Sequence, residues 1–198
     1  MKPMNMTITP AMALVVIDIQ KDYFPGGAMA LEGPEEAARN AARVIEAFRQ
    51  VSAPVFHIQH EMPPERGLPF LLPGTEGQEI HPSVAPAENE TVVVKHLPNA
   101  FAGTALEALL RERDITQVVV VGMMTQLCVT ATTHGAMERG FSATVVGDAT
   151  ATRDLLLGGE RIPARWVKKA HLSSLSGVCA TITSTHAFLG EIEPAVAG

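Results

Sequence analysis

Six short runs of β-branched and apolar residues recur along the chain: Ala13 to Ile17, Val55 to Gln59, Thr91 to Val94, Gln117 to Val121, Ala143 to Val146 and Val178 to Thr183. Most are continuously apolar instead of alternating, which is the pattern of strands covered on both faces. They predict a parallel sheet between two layers of helix, an α/β fold. The intervals suit crossover helices. Pro34, followed by Glu35 and Glu36, opens one, and Ala37, Ala41, Val44, Ile45 and Phe48 repeat at helical spacing before Pro54 stops it. Thr104 and Glu107 form a T-x-x-E capping box ahead of Leu106, Leu109 and Leu110. Thr125 to Gly140 is rich in poor helix formers, yet a crossover is needed between two buried parallel strands. A helix is expected there, with Thr125 as its cap and Gly140 at its end. A last helix from Pro163 to Leu175 is expected to turn Trp166, Val167, Ala170 and Leu175 inward. Between residues 61 and 90, six prolines and three glycines leave room only for an irregular loop over the sheet edge.

Composition narrows the function classes. A length of 198 residues fits a single domain, and 46% hydrophobic against 18% charged residues excludes disorder. The net charge is −6, and no run of Lys or Arg exceeds a pair, so there is no footprint for nucleic acid or an anionic membrane. A small metabolite is the expected partner. Cys128 and Cys179 are too few for a disulfide framework and read as reduced thiols. Apolar runs are far shorter than the roughly 20 residues of a membrane span. The first of them meets Asp18 where a leader would need small residues, so a signal peptide does not fit and a cytoplasmic location is expected.

In open parallel sheets the ligand crevice lies beyond the carboxyl ends of the strands. Asp18 ends the first strand, Lys95 ends the third, and Cys128 lies just past the fourth. Cys128 follows Thr125 by three residues, in a first helical turn, where free N–H groups and the dipole favour a thiolate. An ordinary thiol is only about 3% ionised at neutral pH, so a shift of roughly two units, near 2.7 kcal/mol, would make the thiolate the major form. Each residue alone has a plainer explanation: a turn-forming Asp, a solvated Lys, a packing Cys. Their joint placement of acid, cation and nucleophile on one rim favours chemistry.

Three blocks carry a family resemblance: Ala13-Leu-Val-Val-Ile-Asp-Ile-Gln-Lys-Asp-Tyr-Phe24, Val94-Lys-His-Leu-Pro-Asn-Ala-Phe101, and Gly122-Met-Met-Thr-Gln-Leu-Cys-Val-Thr-Ala-Thr-Thr133 with Gly147-Asp-Ala-Thr-Ala-Thr152 after it. Over nearly its whole length the sequence resembles the isochorismatase-like cysteine hydrolases, which include nicotinamidases, N-carbamoylsarcosine amidase and isochorismatase. The resemblance implies one domain over residues 1–198, three layered, with a mainly parallel six-stranded sheet in the Rossmann-like order 3-2-1-4-5-6. It implies a catalytic triad of Asp18, Lys95 and Cys128, a cis peptide at Met123-Met124, and an oxyanion hole from the N–H groups of Met124 and Cys128. The expected activity is hydrolysis of an amide or ureido C–N bond of a small metabolite, with no cofactor, by a homodimer or higher homo-oligomer.

The nicotinamidase metal pattern, Asp-x-His after the second strand, is missing, since the stretch reads His57-Ile-Gln-His60-Glu61-Met62. His57 and His60 are three apart in extended chain and point to opposite faces, so no metal is expected. Tyr23, His60, Phe101 and Gln126 are the expected substrate-binding residues, and the loop from Met62 to Glu79 is expected to set specificity. Cys179, in the sixth strand, is expected to be inert. Two other activities share the scaffold: vinyl-ether hydrolysis, which needs no cysteine nucleophile, and non-catalytic binding.

Overall fold

A computed structural model describes residues 7–190. Its sheet contains β1 (Met12–Ile17), β2 (Val55–His60), β3 (Thr91–Lys95), β4 (Gln117–Met123), β5 (Ser142–Ala151) and β8 (Thr181–Thr183). All are parallel, in the order β3-β2-β1-β4-β5-β8. The numbering runs to eight because β6 (Leu155–Leu157) and β7 (Glu160–Ile162) form a separate antiparallel hairpin. Without it the order is the expected 3-2-1-4-5-6. The hairpin has a signal that escaped the sequence reading: Gly158 and Gly159 both take positive φ, 59° and 86°, as a two-residue primed turn requires.

Helices cover both faces. α1 (Pro34–Gln50) and α5 (Thr185–Leu189) pack on one side, where Ala41, Val44, Phe48 and Phe188 meet Leu14, Val16, Val119 and Val121. α2 (Leu106–Arg111), α3 (Thr130–Glu138) and α4 (Ala164–Leu175) pack on the other, where Leu106, Leu110, Ala136 and Leu175 meet Ala13, Val15, Val118 and Val120. β1 is buried along its whole length, as its unbroken apolar run predicts. β3 departs from that rule because it is an edge strand: Val93 is buried, but Val92 and Val94 are 41% and 43% exposed. Among the described residues no helix is long and apolar enough to cross a membrane.

Several local expectations are corrected. Thr104 does accept from the N–H of Leu106 at 3.2 Å, but the Glu107 carboxylate turns outward to Arg111 and Arg139, so the reciprocal half of the box is missing. Thr125 does not cap α3; its hydroxyl donates to Thr150 Oγ1 and to the carbonyl of Ala151. Residues Thr125–Val129 instead make one π turn that runs into α3. On α4, Val167 and Leu175 are buried as expected, whereas Trp166 and Ala170 are exposed, lying off the Ala164, Val167, Leu175 stripe. Val178 and Cys179 precede β8 instead of belonging to it. Cys179 is buried, with its sulfur 3.4 Å from His134 Nδ1.

The segment 61–90 has no long element, only three single 3₁₀ turns. It crosses the carboxyl end of β1, where His81 N–H donates to Ile19 O at 2.8 Å and Lys21 N–H to Glu79 O at 3.0 Å. Asp22 fastens it further, accepting from the N–H of Leu71 at 2.6 Å.

Candidate active site

The strand ends deliver the three candidate residues to one point. Asp18 follows β1 directly and takes a left-handed φ of 47°, which ends the strand; its N–H still donates to Ile58 O at 3.0 Å. Lys95 is the last residue of β3, in register with His60 on β2. The loop after it is docked on α3, with the N–H of Ala100 donating to Thr132 Oγ1 at 3.0 Å. Cys128 sits in the π turn after β4. β4 reaches that turn by passing close to β1 at Gly122, whose φ is 125°. Any Cβ there would lie 2.0 Å from Ile17 O, so glycine is required. The following Met123–Met124 peptide is cis.

Lys95 Nζ is the centre of the cluster. It lies 2.8 Å from Asp18 Oδ2, 2.7 Å from His60 Nδ1 and 3.3 Å from Cys128 Sγ. These three neighbours match the three protons of an ammonium group. All four side chains are buried. Burial raises Asp18 above the usual carboxylate range, and the Lys95 charge offsets only part of that rise. Burial would depress Lys95, but its contacts with Asp18 and Cys128, the Asp18 charge foremost, outweigh it and hold the ammonium protonated. Burial also pushes the Cys128 thiol up, and the Asp18 charge pushes it further. The pre-ionised thiolate expected from the sequence is therefore not the resting state. Desolvation outweighs the Lys95 contact, so the thiol holds its proton more tightly than an ordinary cysteine.

The other expected site residues divide. Tyr23 is buried near the cluster, tilted against Phe70 at 6.3 Å; burial, with the Asp18 charge nearby, keeps it a phenol well above its ordinary range. His60 touches Lys95 directly. The Gln126 carboxamide oxygen accepts from Thr152 Oγ1, and its nitrogen lies 3.6 Å from Met124 Sδ. The Phe101 ring stacks on Phe141 at 5.8 Å under the Arg139 guanidinium, in the same buried cluster as Cys128. Asp18, His60 and Cys128 place ligand-type atoms within 4.8 Å of one another. Because the Lys95 ammonium touches all three and already supplies the positive charge, the set does not fit a divalent cation.

Gln20 was missed in the sequence. Fully buried, it accepts from His60 N–H at 2.8 Å and donates to His60 O at 2.9 Å and Gln78 O at 2.6 Å. Its only signal was an amide two residues past Asp18.

An isochorismatase-domain family model matches residues 12–187. YddQ, an isochorismatase family protein of Bacillus subtilis, is 49% identical over 177 residues, covering 89% of this chain and 98% of its own. A crystal structure from Oleispira antarctica, described as an isochorismatase hydrolase, superposes with a TM-score of 0.88 at 41% identity, over 94% of this chain and all of its own. The N-carbamoylsarcosine amidase of Thermoplasma acidophilum gives 0.75 at 28% identity, over 92% of this chain and 99% of its own.

Proposed function

The chain belongs to the isochorismatase-domain family of hydrolases, and from that premise we propose that it is a cysteine hydrolase of C–N bonds in small amides or ureido compounds. The observation that carries the proposal is the Lys95 ammonium in contact with both Asp18 and Cys128 in a buried cluster. The amidase likeness supplies the bond type.

Cys128 Sγ attacks the substrate carbonyl carbon. As the S–C bond forms, the thiol proton passes to Asp18, whose raised affinity for protons suits it as the acceptor. The carbonyl oxygen takes up negative charge and is met by the N–H groups of Met124 and Cys128. The C–N bond then breaks, Asp18 returns the proton to the departing nitrogen, and an acyl thioester remains on Cys128. Water adds to the thioester, giving one proton to Asp18 and through it back to sulfur, and the acid product leaves. Lys95 keeps its proton throughout, stabilising Asp18 as an anion and orienting the sulfur. Tyr23 and Gln126 line the acyl side, and the 62–79 loop selects the substrate.

A panel of primary amides, ureido acids and isochorismate, followed by ammonia or pyruvate release, tests this reading. Ammonia release that falls at least roughly 10³-fold in folded Cys128→Ala is expected. Pyruvate release from isochorismate that survives the substitution would show vinyl-ether chemistry instead. No turnover of any member by a protein that still binds one of them, measured by titration calorimetry, would favour a binding protein.

A further inference from the structure

His60 is 5% exposed and takes no part in these proton transfers, yet one of its nitrogens is determined by its surroundings. Nδ1 lies 2.7 Å from Lys95 Nζ. An ammonium group has donors and no acceptor, so Nδ1 must face it with a lone pair, and the ring proton then sits on Nε2. Burial, followed by the Lys95 charge, pushes His60 down to about 3, which agrees with a neutral ring. Nε2 is itself buried and has no hydrogen-bond partner among the described residues. A buried donor left unpaired is costly, and such groups in folded proteins have a partner. Gln20 grips the His60 backbone on both sides, and Lys95 holds the ring at Nδ1. A ring nitrogen of His60 lies within 4.8 Å of Cys128 Sγ and of an Asp18 carboxylate oxygen, beside the reacting atoms.

We propose that His60 is a specificity residue that donates an Nε2–H hydrogen bond to a second oxygen of the substrate, one that flanks the scissile carbonyl. This rests on the C–N hydrolase reading. The site then prefers amides carrying a neighbouring carbonyl or carboxylate oxygen, and rejects those that present an N–H or ammonium there, since two donors would meet. The preference is set by the lysine, because Lys95 fixes which nitrogen of His60 carries the proton.

Two variants separate the halves of the ring. His60→Asn keeps an acceptor near the Nδ1 position for Lys95 and removes the distal donor; His60→Gln keeps a donor near the Nε2 position and removes the proximal acceptor. On the amide of the panel that the wild type turns over best, His60→Asn is expected to lose at least tenfold in kcat/KM, mainly through KM, and His60→Gln to recover most of that KM loss. Values of kcat/KM within twofold of wild type in His60→Asn would overturn the proposal. In ¹⁵N-histidine-labelled protein, the long-range ¹H–¹⁵N spectrum is expected to show His60 protonated at Nε2 alone. A proton on Nδ1 would overturn it whether or not any amide is hydrolysed. Absence of turnover across the panel would instead overturn the hydrolase reading, and adding the same amides to labelled Cys128→Ala then decides His60: an Nε2–H resonance that moves for acceptor-bearing members supports it, and one that moves for none overturns it.

Discussion

Burial sets the direction in which Asp18, His60 and Cys128 shift, and the Lys95 ammonium among them opposes it at Asp18 and Cys128 and adds to it at His60. With the ammonium removed, Asp18 is a buried carboxylate without compensation, so Lys95→Met is expected to destabilise the fold by about 3 to 5 kcal/mol in chemical denaturation unless Asp18 takes up a proton. Asp18→Asn combined with Lys95→Met removes both charges and is expected to regain most of that loss, which a double-mutant cycle measures. The pH dependence of activity follows from the same cluster. Asp18 must be ionised to accept the thiol proton and its affinity for protons is raised by burial, so the acid limb of kcat/KM is expected above the ordinary carboxylate range. A limb at or below about 4 would show that Asp18 is not the base. At this scale the positions were legible in the sequence and the electrostatics were not. A polar residue ending an apolar strand announces Asp18 and Lys95, but the desolvation of Cys128 depends on packing with residues such as Ala100, Phe101 and Val129, which only the folded chain brings together.

At the scale of elements, two contacts position the site from a distance. Gly122 lets the end of β4 pass β1, and Gly122→Ala would place a methyl group against Ile17 O at a φ that L side chains rarely adopt. A loss of roughly 3 kcal/mol or more in stability is expected, with activity falling with it, because the turn bearing Cys128 starts three residues later. At the opposite end of the sheet, Glu90 accepts from Arg49 of α1 at 2.7 Å, and lies 2.9 Å from His57 of β2, tying the helix to the strand before β3. Burial opposes its charge, but Arg49, the N–H of Ala87 and His57 together hold its carboxyl down to about 2. A depressed carboxyl contributes stability that is present above its unfolded value near 4.5 and is lost as pH falls toward 2. Glu90→Gln is therefore expected to lower stability at pH 7 by roughly 2 kcal/mol and to flatten the acid loss across that window, read from denaturation midpoints. Neither contact could be seen in the sequence, since Glu90 and His57 look like ordinary loop and strand residues until the register places them together. The π turn at Thr125–Val129 was likewise hidden, because propensity and spacing distinguish helix from strand but not one helical hydrogen-bond ladder from another.

For the whole molecule, continuous apolar runs gave the layered parallel sheet, and the intervals between them gave its crossovers, because burial on both faces leaves a strong compositional trace. The β6–β7 hairpin left a weaker one: Leu156 and Leu157 are 76% and 75% exposed, so its leucines carry no burial signal of the kind that reveals a strand. We propose a homodimer or larger homo-oligomer, which light scattering on the eluting protein would show; a monomer at micromolar concentration would contradict it. The central claim concerns the sulfur of Cys128 and its bond to carbon. Peptide mapping by mass spectrometry of acid-quenched turnover, using the best amide of the panel, tests it most directly. The account predicts an acyl increment on the peptide containing Cys128, whereas an increment on any other side chain, with the Cys128 peptide unmodified, would contradict it.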